Sequence, residues 1–232
     1  LLTAEGELYT FGIGQFGVLG HGSQDKSSTP RRVERLASET VISVACGWRH
    51  TAALTLHRGT RALYTWGHGG FGQLGHGGTI DFFLPLRVVS SEMWMQVACG
   101  WRHTAGLAVG GSASTWGDGE HLQLGHGDRL MQPQPKTVSR LSTIPLLQLE
   151  CGSHHCMAAA LSGEVYTWGS GSYGQLGHGD RRSEAVPRVV LGLHGLHVVR
   201  VACGGHSLAL TADGWLYSWG NGKHGQLGHG AF

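Results

Sequence analysis

Residues 66–77 read Trp66-Gly67-His68-Gly69-Gly70-Phe71-Gly72-Gln73-Leu74-Gly75-His76-Gly77, and this stretch decides the fold because it recurs along the chain. The pattern Trp-Gly-x-Gly-x-x-x-x-Leu-Gly-His-Gly occurs four times, and a fifth copy has Phe in place of Trp. A repeat of about 50 residues is typical of arrays in which each copy is one supersecondary unit. Such arrays offer modular binding surfaces more readily than a single catalytic pocket. The copies begin at Phe11, Trp66, Trp116, Trp168 and Trp219.

Within the second repeat, short runs rich in β-branched residues alternate with turn signals. Residues 41–46 and 50–55 flank a Gly-Trp-Arg turn, and residues 62–66 follow a second, polar turn. A further run begins at Pro85 and is a candidate outer strand, because proline is tolerated at sheet edges. No segment keeps a helical period over three turns. Runs of this length at about 8–12-residue spacing indicate an all-β chain.

Four short antiparallel strands in about 50 residues make one propeller blade. We therefore predict an all-β propeller that occupies residues 1–232 as a single repeat domain. A β-solenoid is the alternative, although its coils are usually shorter than this repeat. The expected units are approximately 1–40, 41–92, 93–145, 146–197 and 198–232.

Three motifs recur in a fixed order and resemble the repeats of the regulator-of-chromosome-condensation family along essentially the whole chain. They are Val-Ala-Cys-Gly-x-x-His-Thr-x-x-Leu, first seen at residues 44–54, then Tyr-Thr-Trp-Gly, then Gly-Gln-Leu-Gly-His-Gly. The resemblance implies a seven-bladed propeller, which at this period needs roughly 360 residues. With about 4–5 blades, this chain is expected to be part of such a ring or an open arc. A closed ring of four or five blades is the alternative.

Composition narrows the expected partners. Charged residues are 14% of the chain and the net charge is +2 with neutral histidines, so nothing favours direct binding to nucleic acid. No apolar run approaches the roughly 20 residues of a membrane span, and residues 1–6 lack the basic region of a signal peptide. We expect a cytoplasmic or nuclear protein with protein partners.

Repeated cysteines and histidines have structural interpretations, and we expect no metal, no cofactor and no catalytic residues. The recurring cysteines are expected to be buried free thiols that lie a blade apart, too far for a disulfide. One histidine register belongs to the Gly-His-Gly turn, and the other is expected to be neutral and bonded to neighbouring backbone. Cys156 follows His154 and His155, but sequence adjacency does not make a catalytic dyad. The registers are Cys46, Cys99, Cys151 and Cys203; His21, His76, His126, His178 and His229; and His50, His103, His155 and His206.

The pentapeptide Gly-Trp-Arg-His-Thr marks the candidate binding site. It occurs twice and places Trp48-Arg49 and Trp101-Arg102 in the turn between two inner strands, on one face of the propeller. Sister repeats have Ser153 or Gly205 in the tryptophan position, so the fold does not require an indole there. Trp and Arg are enriched at binding hot spots, and Arg can stack on an indole while binding a carboxylate.

The same pentapeptide resembles that of the plant UV-B photoreceptors within this repeat family. That resemblance implies that Trp48 and Trp101 belong to an intrinsic chromophore, and that Arg49 and Arg102 hold a homodimer through carboxylates. The third tryptophan and arginine are replaced by Ser153 and His154. The candidate acidic partners in or beside one corner loop are Asp118, Glu120 and Asp128.

Three functions therefore stand as alternatives. The first is a non-enzymatic protein-interaction or regulatory module that uses the Trp/Arg face. The second is a UV-B photoreceptor with light-controlled self-association. The third, implied by the family alone, is a guanine-nucleotide exchange factor for a small GTPase, although the even repeat spacing leaves little room for the inserted wedge that exchange would need.

Overall fold

Each repeat folds into a meander of short antiparallel strands in the computed structural model, which describes residues 1–230. Neighbouring strands along the chain pair with each other, so every connection within a sheet is local. The strands are β1 (Tyr9–Gly12), β2 (Ser27–Arg32), β3 (Thr40–Cys46), β4 (His50–His57), β5 (Thr60–Gly67), β6 (Phe82–Arg87), β7 (Trp94–Cys99), β8 (His103–Ala108), β9 (Ala113–Gly117), β10 (Gln132–Thr137), β11 (Leu146–Cys151), β12 (His155–Ala160), β13 (Val165–Gly169), β14 (Glu184–Val189), β15 (Val198–Cys203), β16 (His206–Thr211) and β17 (Leu216–Gly220). Short 3-10 turns cover Gln15–Gly17, Glu34–Leu36, Ser139–Leu141 and Leu191–Leu193.

Three complete sheets have four strands each, in the orders β3-β4-β5-β6, β7-β8-β9-β10 and β11-β12-β13-β14. On either side of them lie the two-stranded sheet β1-β2 and the three-stranded sheet β15-β16-β17. The outermost strands β2, β6, β10 and β14 all contain proline, which cannot donate to a ladder and is therefore suited to a sheet edge. The prediction of an all-β arrangement of four-stranded units is confirmed.

Neighbouring sheets pack face to face, and the core lies between them. Ala52, Leu54 and Leu63 of one sheet form a single buried cluster with Trp94 and Trp116 of the next. Strands β8 and β12 are buried along their whole length because each has a sheet on both faces. Small residues, mainly alanine, occupy these strands, and they allow two sheet faces to be covered at once.

The Gly-rich corner of each repeat caps the tryptophan of the following sheet. Gly75 has φ +79°, and a Cβ there would lie 2.9 Å from Nε1 of Trp116. Gly125 is in the same position against Trp168, with φ +74° and a corresponding distance of 2.8 Å. A side chain would therefore be strained by the backbone and would collide with the indole. This contact explains why glycine follows the leucine in the first four corners. Gly228 of the fifth corner has a positive φ of +71° but no neighbour within 4 Å among the described residues.

A hydrogen-bonded clasp joins consecutive sheets. The Thr104 hydroxyl lies 2.9 Å from Nε2 of His50 in the preceding sheet and donates to the Gln73 carbonyl at 2.8 Å. Because the hydroxyl has one proton and gives it to the carbonyl, His50 must donate from Nε2. Ser207 repeats the arrangement with His155 and the Gln175 carbonyl. The expectation that these histidines bond to backbone is wrong, since the imidazole meets a side chain of the next sheet.

Burial keeps these clasp histidines neutral. It lowers the pKa of His50 and of His103 to about 3 and that of His155 to about 4, because a charged imidazole would lose its hydration inside the core. The Gly-His-Gly histidines are turn residues, as expected, and His76 Nε2 lies 2.9 Å from the Thr65 hydroxyl. That hydroxyl donates to the Leu74 carbonyl and so ties the corner to its own sheet.

All five cysteines lie within the described residues and are free thiols. The expectation that the repeated set is buried holds for Cys151 but is wrong for Cys46, which is exposed, while Cys99 and Cys203 are partly buried. The reason is that these residues end the innermost strands and line a shared concave surface. The sheet β1-β2 adds no inner strand against β3 within residues 1–230, so Cys46 stays open to solvent.

Candidate functional site

The two Gly-Trp-Arg turns connect inner strands of adjacent sheets, β3 to β4 and β7 to β8. Gly47 N–H donates to the His50 carbonyl and closes the first turn, and Gly100 does the same with His103. A Cβ on Gly47 would lie 2.7 Å from the Gly100 carbonyl oxygen, so only glycine fits where the two turns touch. The two positions that follow each glycine are free of this constraint, and their side chains project from the turn.

Trp48 and Trp101 lie together at this end of the sheets. Their ring centroids are 5.2 Å apart with planes inclined at 75°, which is an edge-to-face pair. The side chains remain 44% and 38% exposed, respectively. Two large indoles in mutual contact and open to solvent form an apolar surface that the core does not use.

Both arginines lie over aromatic rings. The Arg49 guanidinium carbon is 3.8 Å from the Trp48 ring centroid and 4.6 Å from that of Phe16. The corresponding carbon of Arg102 is 4.2 Å from the Phe71 centroid and 5.4 Å from that of Trp48. Cation–π contacts of this kind hold the guanidinium groups in place without neutralising their charge.

Neither arginine has an ion-pair partner among residues 1–230. The ion pairs in that part of the chain are Arg32 with Glu7 and Arg188 with Glu184, both elsewhere. Nε of Arg102 is buried and has no hydrogen-bond acceptor within the described residues. That buried atom is out of reach of a partner, but the other N–H groups of Arg49 and Arg102 make no ion pair within residues 1–230 and can bind an anionic group.

The aromatic surface extends beyond the two predicted pairs. The Trp101 ring centroid is 4.7 Å from that of His154, which is 4.5 Å from that of His121. Burial, together with nearby positive charge, lowers the pKa of His154 below that of a free imidazole. His154 is therefore neutral near pH 7, and Arg49 and Arg102 carry the permanent positive charge of this surface.

Several members of this surface were missed from the sequence. Phe16, Phe71 and His121 come from the Gly-rich corners. Each is the fifth residue after the Trp or Phe that begins the corner signature. An aromatic ring or imidazole stands at this position in all five copies, and Tyr173 and His224 complete the set. That periodic signal was available in the sequence and marks the corner position that faces the Trp/Arg turn. We refer to these aromatic and basic side chains together as the Trp/Arg surface: Trp48, Arg49, Trp101, Arg102, Phe16, Phe71, His121 and His154.

The three acidic candidates do not pair with the arginines. Asp118 is buried, and its Oδ1 accepts the Glu120 N–H within its own loop. Asp128 accepts the Leu130 N–H in a similar local turn, while the Glu120 side chain is exposed. Their proposed role as carboxylate partners between molecules stays a prediction, with Glu120 the most accessible of the three.

A concave surface with a volume of about 380 Å³ lies beside the two tryptophans. It is bordered by Trp48 and Trp101 and floored by the ends of the innermost strands. The repeated cysteines and glycines line it: Cys46, Cys99, Cys151, Cys203, Gly47, Gly100, Gly152 and Gly204. The Trp/Arg surface therefore forms part of the rim of a groove.

A second group of reactive side chains lies below that groove. Sγ of Cys156 is 3.7 Å from Sγ of Cys151 and 3.2 Å from Nε2 of His103 in the neighbouring sheet. All three residues are buried. Sequence inspection compared Cys156 with the adjacent His154 and His155, whereas the structure pairs it with a histidine one repeat earlier.

Stacked four-stranded meanders, each with a Gly-rich corner between its third and fourth strands, define a β-propeller, here with a solvent-exposed Trp/Arg surface at one end. The chain belongs to the RCC1-like domain family, whose model matches residues 1–232. The predicted resemblance to this repeat family is thereby confirmed. No helix within the described part of the chain is long and apolar enough to cross a membrane.

The chain is similar to E3 ubiquitin-protein ligase HERC2 of Homo sapiens, with 40% identity covering 99% of this chain and 5% of HERC2. It is also similar to Ultraviolet-B receptor UVR8 of Arabidopsis thaliana, with 38% identity covering 99% of this chain and 52% of UVR8. The chain thus spans about half or less of these relatives.

Among solved structures, the crystal structure of human WBSCR16 has a TM-score of 0.86 and 28% identity, covering 99% of this chain and 61% of that chain. The crystal structure of Prp20p from Saccharomyces cerevisiae has a TM-score of 0.83 and 24% identity, covering 97% of this chain and 56% of that chain. At that identity Prp20p shows the fold alone. The all-β propeller prediction is confirmed, with part of a ring present.

Proposed function

We propose that this chain is a protein-interaction module that binds an acidic segment of a partner protein on its Trp/Arg surface. The observation that carries the proposal is the exposed Trp48–Trp101 pair, 5.2 Å between centroids, flanked by two arginines with no carboxylate partner within residues 1–230. Nothing in the fold requires this arrangement, since Ser153 and Gly205 take the tryptophan position in the sister turns.

Physical chemistry explains why such a surface binds well. Tryptophan and arginine are enriched at hot spots: tryptophan buries a large rigid area, and arginine adds directional hydrogen bonds. Stacking on Trp48 and Phe71 already restricts the two guanidinium groups, so less conformational entropy is lost on binding. Each guanidinium can bind a carboxylate through two parallel hydrogen bonds, which favours Asp or Glu side chains.

The test compares two variants that remove the same charge. Arg49→Ala plus Arg102→Ala changes the Trp/Arg surface, and Arg181→Ala plus Arg182→Ala removes two exposed arginines elsewhere. An array of acidic peptides identifies a ligand, and its affinity is then measured by titration against the intrinsic tryptophan fluorescence. We expect binding to weaken at least ~10-fold in the first variant, the scale of a hot-spot loss, and to be nearly unchanged in the second.

Equal losses in both variants would mean that net charge attracts the peptide and that the surface has no specific role. Circular dichroism and thermal melting check that both variants fold. Self-association through the same arginines and Glu120 is examined in the same samples by sedimentation. If the unliganded chain is a dimer that Arg49→Ala dissociates, the partner is a second copy rather than a foreign acidic segment.

A second candidate function is UV-B sensing, which the edge-to-face indole pair favours together with the similarity to UVR8. Indoles absorb in this band, and the adjacent guanidinium groups would couple excitation to charge contacts. The third indole position is Ser153, so the group of coupled rings is smaller here. Irradiation with UV-B, with oligomeric state followed by size-exclusion chromatography, tests this function against Trp101→Phe. If the oligomeric state of the native chain does not change on irradiation, UV-B sensing is excluded as its function.

The similarity to Prp20p, at 24% identity, supports a shared fold and not a shared exchange activity. The exchange-factor alternative therefore has no further support. HERC2 is named as a ligase, but this chain matches only 5% of its length, so the similarity does not support ligase activity here. We therefore propose binding as the activity of this domain.

A further inference from the structure

One register of the repeat changes its chemistry in a single sheet. The residue after each inner-strand histidine is Thr51, Thr104, Cys156 and Ser207 in successive sheets. In its sister positions this residue is a hydroxyl that donates to a corner carbonyl, and in two of them it also accepts from a histidine of the preceding sheet. Cys156 occupies the same place with sulfur, so a thiol lies where the clasp has an alcohol.

The cysteine in this register brings three soft or borderline metal-ligand atoms together. Sγ of Cys156, Sγ of Cys151 and Nε2 of His103 all lie within 4.8 Å of one another. Cys151 and Cys156 face each other across the β11–β12 ladder, and His103 reaches them from β8 of the adjacent sheet. The ligand atoms therefore come from rigid strands rather than from loops.

We propose that Cys151, Cys156 and His103 form a binding site for one thiophilic divalent cation, with zinc as the expected ion. Two sulfurs on one tetrahedral zinc, at about 2.3 Å each, lie about 3.8 Å apart. The two sulfurs here are 3.7 Å apart before any ion is bound. Thiolate and imidazole ligands select zinc-class ions over the hard cations magnesium and calcium.

The groove described above supplies access to this site. Cys151 lines its wall, so an ion can reach the sulfur from the solvent side. Three protein ligands leave the fourth position of a tetrahedral ion for a water molecule from the groove. Two thiolates balance the charge of a divalent ion, which suits a buried position because the bound site is then neutral.

Binding is a proton exchange with a defined balance. The two thiols each lose a proton and form a metal–sulfur bond, and the released protons pass to solvent. The imidazole gives its lone pair from Nε2, so its own proton moves to Nδ1 and is not released. One divalent cation therefore displaces two protons.

The sister repeats provide the decisive variant. Cys156→Thr installs the residue that stands in this register at Thr104, where it accepts from a histidine and donates to a corner carbonyl. This variant should fold and keep the clasp while it loses one ligand. Cys203→Ser is the matched control, because Cys203 occupies the Cys151 register in the next sheet but faces Ser207 instead of a second thiol.

Zinc binding to the reduced full chain is measured by competition with a chromophoric chelator, and Co(II) serves as a spectroscopic substitute. We expect one equivalent of zinc, two protons released, and tetrahedral thiolate bands with Co(II) in the wild-type chain and in Cys203→Ser. Cys156→Thr should bind more weakly by at least the ~10–100-fold that loss of an outer-shell partner costs.

Three results would overturn the proposal. The first is a wild-type chain that binds no stoichiometric zinc when reduced. The second is Cys156→Thr binding as tightly as wild type, and the third is Cys203→Ser losing as much affinity as Cys156→Thr, which would assign the ion to the groove thiols. Thermal melting without metal confirms that each variant is folded, so a loss of binding cannot be blamed on unfolding.

Discussion

The sheets β11–β14 and β15–β17 are closely similar in sequence but differ in burial. Every residue of β12 is buried, whereas burial alternates along β16, where Ser207 and Ala209 are buried and Leu208 and Leu210 are half-exposed. Trp168 in the first sheet is fully buried, and its counterpart Trp219 is only partly covered. The first sheet has a neighbour on both faces, and the second has one on a single face within the described residues.

This difference shows that the burial of a sheet's side chains depends on the sheets packed against it. Each sheet is thin and cannot bury both of its faces alone, so the apolar area removed from water is set by the contacts between units. The same amino acid therefore contributes unequally at repeated positions. Paired variants at equivalent positions measure how much of the stability belongs to the contacts between sheets.

The largest expected difference concerns the repeated tryptophan. Trp168→Ala should cost about 3–5 kcal/mol of unfolding free energy, because it empties a fully buried site between two sheets. Trp219→Ala should cost clearly less, since solvent already reaches part of that indole. Chemical denaturation of both variants checks this, and equal costs would contradict the dependence on neighbours.

A smaller effect is expected from the clasp imidazole His155. Its pKa in the folded chain is lowered to about 4, whereas an unfolded histidine titrates near 6.5. The unfolded chain thus takes up the proton first, so stability is full above pH 6.5 and falls as the pH drops towards 4. His155→Gln, which keeps a donor for Ser207, should flatten that slope by up to about 1.4 kcal/mol per pH unit.

Denaturation at several values between pH 7 and pH 4.5 measures the slope for both chains. An unchanged slope in His155→Gln would show that folding does not lower the pKa of this imidazole, and the structural account of the clasp would then be wrong.

The smallest difference separates two threonines of the same register. Thr104 accepts from His50 and donates to the Gln73 carbonyl, whereas Thr51 donates to the Val18 carbonyl and has no second partner within residues 1–230. Thr104→Val should therefore cost about 1–3 kcal/mol and Thr51→Val about 1 kcal/mol. Thermal melts resolve this difference, and a larger loss for Thr51→Val would reverse the comparison.

The fold could be predicted from the sequence because its signals are local and repeated. Strand-length runs, turn residues and the corner signature recur in the same order. Signals that are weak in one copy therefore support one another along the chain. Trp66, Trp116 and Trp168 begin three of these copies, and all three are fully buried. Trp48 and Trp101 were recognised for the opposite reason, since they depart from what the sister repeats tolerate.

What the sequence did not reveal depends on contacts between neighbouring units. His50 meets Thr104 and His103 meets Cys156, each pair about one repeat apart, and inspection of a single repeat cannot show such a pair. Asp118 and Asp128 accept backbone N–H groups in their own loops, a local role that their sequence positions alone did not show. Their pairing with arginines of another molecule stays a prediction.

The clasp also bears on how such a chain can change over generations. At two junctions a hydroxyl meets an imidazole and a main-chain oxygen, so units that supply these groups can replace one another there. Duplication of such a unit keeps the junction intact, while the tryptophan position of the turn already differs between sheets, with Ser153 and Gly205 in the sister turns. Substitutions in the turns can therefore change which partner is bound without disturbing the fold. The thiol of Cys156 is a comparably local change at one junction between sheets.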